Sequence, residues 1–355
     1  MGLGERVLVT DLVNGRSRSA VAAVRALAGG GYAPIVTVSG RRSPAAASRD
    51  CAGVVRVPPC LNGDYADAVR REMADRDYVA VMPASDGALL ALGLPGADLV
   101  DKSTLPARAA AAGLRTPRTL RLDGPEELAA AAGRLEYPLV VKPVVKSGPG
   151  SLARRVDTPA ALVALAAESG GASVVQPFLD GDLRAVAGVV HEGRLLALVH
   201  QGYVRTWPAD CGVASAAVTT APDTGLEQLL ARLLSAHSGV FQVQLIGSCV
   251  IDVNPRVYGS LPLAVAAGAN LPAIFCAAVQ GRGQDLVRAR PGVRYRWAEG
   301  DVRRLGYGLR RGELGLVEAV RALYPRLGTA HSVESLRDPG PVLTRVANVV
   351  TRRPV

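Results

Sequence analysis

Residues 250–260 read VIDVNPRVYGS, and the way this stretch folds decides the rest. Alternation places Asp252 and Asn254 on one face of a strand. The preceding run FQVQL, joined through Gly247 and Ser248, predicts an antiparallel hairpin with Gln244 opposite them. Three oxygen donors on one face suit Mg²⁺, which takes a few protein oxygens and completes its shell from phosphates and water. A solvated polar face on an edge hairpin is the plain alternative. Arg256 follows at once, a permanent cation where a transferring phosphoryl group needs one.

Upstream, LRAVAGVVHEGRLLALVHQGYVRTW reads as two long strands with a hairpin turn at His191-Glu192-Gly193, and a helix is expected from about Thr224 to His237. Before these come two similar units. Asp123-Gly-Pro and Asp157-Thr-Pro each start a helix, followed by the strands YPLVVKPVV and ASVVQPF in the same order. Lys146-Ser-Gly-Pro-Gly-Ser151 is a Gly-rich loop between strands, able to bring backbone N–H groups against phosphate or to be an ordinary turn. The first hundred residues read β-loop-α-β and predict a parallel sheet. Only Gly15 stands in the first loop, so a dinucleotide fingerprint is missing and NAD is not expected. The strand YVAVMPASD ends in polar residues where open α/β sheets bind ligands, with a helix cap at Asp86 as the alternative.

Composition narrows the classes. The chain has 355 residues and a net charge of +10, but its arginines are scattered and no aromatic residues interleave with a basic cluster, so nucleic acid is not the expected partner. The only lysines are Lys102, Lys142 and Lys146 among 41 cationic side chains. A compact ammonium suits a phosphate contact that a planar guanidinium does not fit. The five cysteines are dispersed without a CxxC pair, which argues against a disulfide framework and a thiolate zinc site. The uncharged stretch 259–281 is interrupted by Pro262, Asn270 and Pro272, so a buried helix broken near Asn270 is expected instead of a membrane span. With charge close to its N-terminus and no long apolar leader, the protein is expected in the cytoplasm.

DKSTLPARAAAAGLRTP, YPLVVKPVVKSGPG, VVQPFLDGD, QGYVRTWPADCG and FQVQLIGSCVIDVNPRVYGS, in that order, resemble the ATP-grasp superfamily, over roughly residues 101–281. The resemblance implies an α/β chain: a Rossmann-like parallel-sheet domain (1–100), then an ATP-grasp fold whose two α+β subdomains (101–177, carrying the lid, and 178–289, carrying the metal site) clasp ATP. A mostly helical extension (290–355) follows. It implies ATP and Mg²⁺, with Mn²⁺ able to substitute. Lys102 and Lys142 then match the lysines on the α- and β-phosphates, and Lys146, Gly148 and Gly150 the lid. Gln176, Pro177, Phe178 and Leu179 match the hinge that meets adenine, with Asp180 or Asp182 near the ribose. Gln244, Asp252 and Asn254 match metal ligands, and Arg256 the arginine near the γ-phosphate. Arg205 resembles the arginine that steadies a substrate carboxylate. Gln244 departs from the glutamate common at its position, which weakens the metal site. The resemblance implies a carboxylate-amine ligase using small-molecule substrates, with carboxylation, phosphorylation or nucleotide binding without turnover as alternatives. A homodimer is compatible with the sequence.

Overall fold

The computed structural model describes residues 4–10, 17–40, 42–60, 62–146, 153–283 and 285–350. The first part alternates β1 (Arg6–Val9), α1 (Arg18–Gly29), β2 (Ala33–Val38), β3 (Gly53–Arg56), α2 (Asp64–Asp75), β4 (Ala80–Met82) and α3 (Asp86–Leu92). Its four strands are parallel in the order β3-β2-β1-β4. Short apolar strands separated by helices pair this way because each crossover returns the chain to the same end of the sheet. Ser17 caps α1 by accepting from the Ala20 N–H, and Ser85 caps α3 by accepting from Ala88. Asp86 is therefore not the cap itself; it is the first helical residue, and its carboxylate is released for another use.

A short 3-10 turn (Ala97–Val100) and α4 (Leu105–Ala111) lead to a second, antiparallel sheet ordered β5-β8-β6-β7. It comprises β5 (Leu120–Leu122), α5 (Pro125–Ala130), β6 (Leu139–Pro143), β7 (Arg154–Val156), α6 (Pro159–Glu168) and β8 (Ser173–Pro177). Proline in the first turn starts both helices, as the Gly-Pro and Thr-Pro signals predict. Leu139 and Val141 pack beneath Leu128 and Leu162, so the period of two turns Val140 and Lys142 to the opposite face.

The third sheet has eight strands, ordered β13-β12-β9-β10-β11-β15-β16 with β14 on β10. Its elements are β9 (Leu183–His191), β10 (Arg194–Trp207), β11 (Val213–Thr219), α7 (Thr224–Leu233), β12 (Gly239–Ile246), β13 (Cys249–Asn254), α8 (Leu261–Ala266), α9 (Leu271–Val279) and β14 (Val287–Arg288). They continue through β15 (Arg294–Arg296), α10 (Ala298–Arg311), α11 (Leu316–Leu323), β16 (Ala330–His331) and α12 (Gly340–Val350). Ala187, Val189, Ala197 and Val199 join a core with α1, α8 and α9, whereas Val186, Val190, Leu198 and Val243 face α7. Both faces are covered, which is why these strands read as apolar runs without clean alternation.

One expectation needs adjustment. α7 stops at Leu233, because a turn carries the chain onward to bury His237 against Pro95 and Val240. The segment after 290 is not only helical: β15 pairs with β11 and β16 with β15, extending the sheet before and between the helices. The break near Asn270 is as expected, with Asn270 capping α9 by accepting from Ala273. Among the described residues no helix is long and apolar enough to cross a membrane.

Gly188 sits in mid-β9, where a Cβ would meet Ala197 O at 2.1 Å and the Phe241 ring at 2.9 Å. Gly188→Ala is expected to lower stability by about 1–3 kcal/mol, the usual cost of overpacking. Gly170→Ala, with nothing within 4 Å, should be close to neutral in the same denaturation series.

Candidate active site

The three sheets surround a cavity of about 830 Å³. The second sheet contributes Val140 and Lys142 from β6 and residues 176–179 from the end of β8. The third contributes Gln242 and Gln244 of β12, and Ile251, Asp252 and Asn254 of β13. The parallel sheet delivers residues 17–19 and 85–87, from the turns after β1 and β4. Those turns lie at the carboxyl ends of parallel strands, where helix N-termini leave space for ligands.

The β12–β13 ladder pairs Gln244 with Asp252 and Gln242 with Asn254, so the predicted donors share one face. Between Asp252 and Val250 the register shifts, leaving Ile251 as an extra residue on β13. This bulge frees the Ile251 carbonyl from the ladder, and it accepts from Lys142 Nζ at 2.9 Å. Lys146 Nζ lies 2.6 Å from Asp252 Oδ2 and 3.5 Å from Asn254 Oδ1. Lys102 Nζ is 3.5 Å from Asp252 Oδ1, an ion-pair separation, yet neither buried atom has a hydrogen-bond partner.

All three lysines thus converge on one carboxylate. Burial alone would raise the Asp252 carboxyl, but Lys146, Lys102 and Lys142 outweigh it and hold it well below the usual carboxylate range. Burial also lowers Lys102 and pushes Lys142 down to about 8, with Asp252 opposing and the neighbouring lysines reinforcing the shift. The cluster carries more positive than negative charge in a confined space, which is the electrostatic condition for a polyanionic ligand.

Orphaned buried groups facing a cavity fit a ligand that would satisfy them. A phosphate oxygen fits Lys102 Nζ, and a hard cation fits Asp252 Oδ1 beside the amide oxygens of Asn254 and Gln244. Gln244 donates through Nε2 to Tyr203 Oη at 3.0 Å, which keeps its carbonyl oxygen for another partner. Only Asp252 in this set is anionic, and among the described residues no three His, Cys, Asp or Glu side chains group to hold a metal. A cation here would therefore depend on ligand oxygens for much of its shell. Val140, Leu179, Ile246 and Ile251 supply apolar wall where a planar base can lie.

Both predicted arginines reach the cavity, each held by an aspartate from elsewhere in the chain. Arg256 pairs through Nε with buried Asp86 of α3, and Nη2 donates to Asn254 Oδ1 at 3.1 Å. Arg205 is gripped at 2.6 and 2.9 Å by Asp301 of α10, so two of its three nitrogens are committed. A carboxylate substrate would meet only its remaining edge.

Gln176 is buried, donates to Thr119 Oγ1 at 2.9 Å, and joins Pro177, Phe178, Leu179, Asp180 and Asp182 along the cavity. Gly148 and Gly150 lie outside the described residues. His200 is not part of the site; it is buried against Glu227, which Arg288 also holds. The sequence reading missed Arg18, Tyr203 and Arg304 as cavity residues. No local signal marks them: arginine is everywhere in this chain, and Tyr203 lies in a strand whose alternation is broken. Asp86 carried a signal, its place at the end of a parallel strand, but capping explained it equally well.

No protein-family model matches the sequence, and no curated protein does. Solved structures do match. A carboxyaminoimidazole ribonucleotide synthase from Aspergillus clavatus complexed with ATP aligns at TM-score 0.63 and 17% identity, covering 82% of this chain and 81% of that one. An L-amino acid ligase from Bacillus licheniformis aligns at 0.57 and 18%, covering 80% and 77%. A biotin carboxylase from Campylobacter jejuni aligns at 0.56 and 14%, covering 79% and 72%. With its parallel sheet followed by two α+β sheets facing one cavity, the chain has the ATP-grasp fold.

Proposed function

We propose that this chain is an ATP-dependent carboxylate-amine ligase that activates its acid as an acyl phosphate and releases ADP and phosphate. The observation that carries the reading is the convergence of Lys102, Lys142 and Lys146 on Asp252, beside Asn254, Gln244 and Arg256. Such a set binds a polyphosphate and neutralises charge during phosphoryl transfer, in which the substrate carboxylate is itself the nucleophile. The structural likeness to an L-amino acid ligase supports the choice of acid and amine substrates.

Mg-ATP supplies the γ-phosphoryl group, and Asp252, Asn254 and Gln244 are the residues that would hold the metal. Lys102 and Lys142 bind phosphate oxygens, while Gln176 to Leu179 and Asp182 receive the nucleoside. A carboxylate oxygen of the acid forms a bond to phosphorus as the bond to the ADP oxygen breaks. The amine nitrogen then adds to the acyl carbon, the acyl C–O bond breaks with its electron pair leaving on phosphate, and the nitrogen's proton passes to that phosphate or to water. Arg256, oriented by Asp86, faces the charge that develops on the transferring group. Arg205, fixed by Asp301, steadies the carboxylate through its free edge.

Pooled carboxylic acids and amino acids, screened for ADP release and analysed by mass spectrometry, should yield a condensed amide with ADP and phosphate in equal amounts. A carboxylated or phosphorylated product would replace this reading with another reaction of the fold. Nucleotide binding without stimulated turnover in any pool would favour the non-catalytic alternative, which the single carboxylate of the metal set makes specific.

Lys142 gives a pH signature with a defined sign. Its ammonium titrates at about 8 in the folded chain against 10.5 ordinarily, so between those values the unfolded chain holds the extra proton. This group's contribution to the stability of the ligand-free protein therefore rises with pH across that window. Nucleotide phosphates favour the protonated form, so Mg-ATP affinity should fall above pH 8 while ligand-free stability from this group rises. Lys142→Ala should abolish Mg-ATP thermal stabilisation and remove the pH dependence. Unchanged stabilisation would remove Lys142 from the phosphate site.

A further inference from the structure

Arg18, the first residue of α1, also lines the cavity. Its surroundings are unusual for a guanidinium. Nη1 donates to Tyr295 Oη at 3.1 Å, and that hydroxyl donates onward to the Gly259 carbonyl at 3.0 Å. The guanidinium carbon lies 3.8 Å from the centre of the Trp297 ring, a stacked cation. Among the described residues no carboxylate reaches ion-pair distance of Arg18. Glu299 and Glu334 act on it only from further away; Glu299 is already held by Arg303 and Arg345, and Arg345 itself repels Arg18.

The helix makes the placement less favourable still. The first turn of α1 contains no acidic residue, so a cation occupies the positive end of a helix dipole. Burial pulls the guanidinium below its ordinary value. A half-buried charge at a helix N-terminus, stacked on one face and lacking an acid partner among the described residues, is a local conflict that an anionic ligand resolves.

Trp297 leads into α10. Trp297 at its N-cap, then Asp301 and Arg304, recur at helical spacing and share one face. Asp301 is fully buried and holds Arg205 and Arg296. Arg304 lines the same cavity; its Nη2 pairs with Glu313 at 3.1 Å, and its Nη1 is buried without a hydrogen-bond partner. The segment after residue 290 thus contributes Arg304 to the cavity lining.

We propose that Arg18, backed by Trp297 and accompanied by Arg304, is the receptor for a non-reacting oxyanion of the second substrate, a carboxylate or a phosphate. The proposal rests on the ligase reading for the cavity's status as a substrate site. It narrows that substrate to one carrying a second, anionic group, bound at Arg18. Guanidinium recognises both oxyanions through paired N–H donors, and the stacking face of Trp297 holds its plane for that purpose.

Trp207 and Trp297 are the only tryptophans, so Trp207→Phe leaves Trp297 as the sole indole and a local reporter. In that background, emission is titrated with L-alanine against L-alaninamide and with glycerol 3-phosphate against glycerol. The expected result is a saturable change with the charged member of one pair and none with its neutral counterpart. The responding pair says whether the oxyanion is a carboxylate or a phosphate. Arg18→Gln should weaken that response by about ten- to a hundredfold, the loss expected for a charged hydrogen-bonded contact. Should that variant fail to fold, Arg304→Gln carries the same test. No response from either pair, or equal responses in the parent and a folded variant, overturns the proposal. Mg-ATP thermal stabilisation, measured in parallel, should persist in Arg18→Gln. Its absence from the parent protein while the anions still titrate would sink the ligase reading and leave the receptor standing.

Discussion

The buried carboxylate of Asp252 and the three ammonium groups around it hold the cavity's geometry in place. Lys142 comes from the second sheet and Lys146 from just beyond its strand β6, Lys102 from the turn before α4, and Asp252 from the third sheet, so these attractions cross between layers. None of the four charges is comfortable alone in that environment, since burial raises the carboxyl and lowers the amines. Together they make partial compensation, and the excess positive charge is left facing the cavity. Removal of Asp252 would leave three crowded cations, whereas removal of one lysine would leave the carboxylate still paired. The cluster consequently tolerates loss of one lysine better than loss of its centre.

Strict β alternation would not build this site. The extra residue at Ile251 turns a carbonyl towards Lys142, and register shifts between Tyr203 and Thr206 bring consecutive β10 residues to the cavity wall. Bulges re-aim side chains without ending a strand, and here they occur on the two strands that carry most of the polar groups. The same shifts let Tyr203 reach Gln244 and Arg205 reach Asp301.

Arg205 and Arg256 are oriented by one device: an aspartate buried in a remote segment. Asp86 reaches Arg256 from the parallel sheet, and Asp301 reaches Arg205 from α10. A long arginine has many rotamers, and a bidentate or close carboxylate selects one before any ligand arrives. This ties the N-terminal sheet and the C-terminal segment to the site as structural parts of it, although neither carries the lysines or Gln244, Asp252 and Asn254.

The sequence by itself determined the order of elements, the hairpin that carries Gln244, Asp252 and Asn254, the rarity of lysine, and the glycine-poor first loop. These are local properties: period, capping chemistry and turn residues act within a few positions of one another. It also made the three lysines conspicuous, because 38 of 41 cationic side chains are arginine. Only the tertiary structure decided which arginines matter. Arg18, Arg205, Arg256 and Arg304 differ from the rest in lining the cavity, and Arg205 and Arg256 are met there by acids 96 and 170 residues away along the chain. Such pairings arise when distant segments pack, so no spacing along the chain records them.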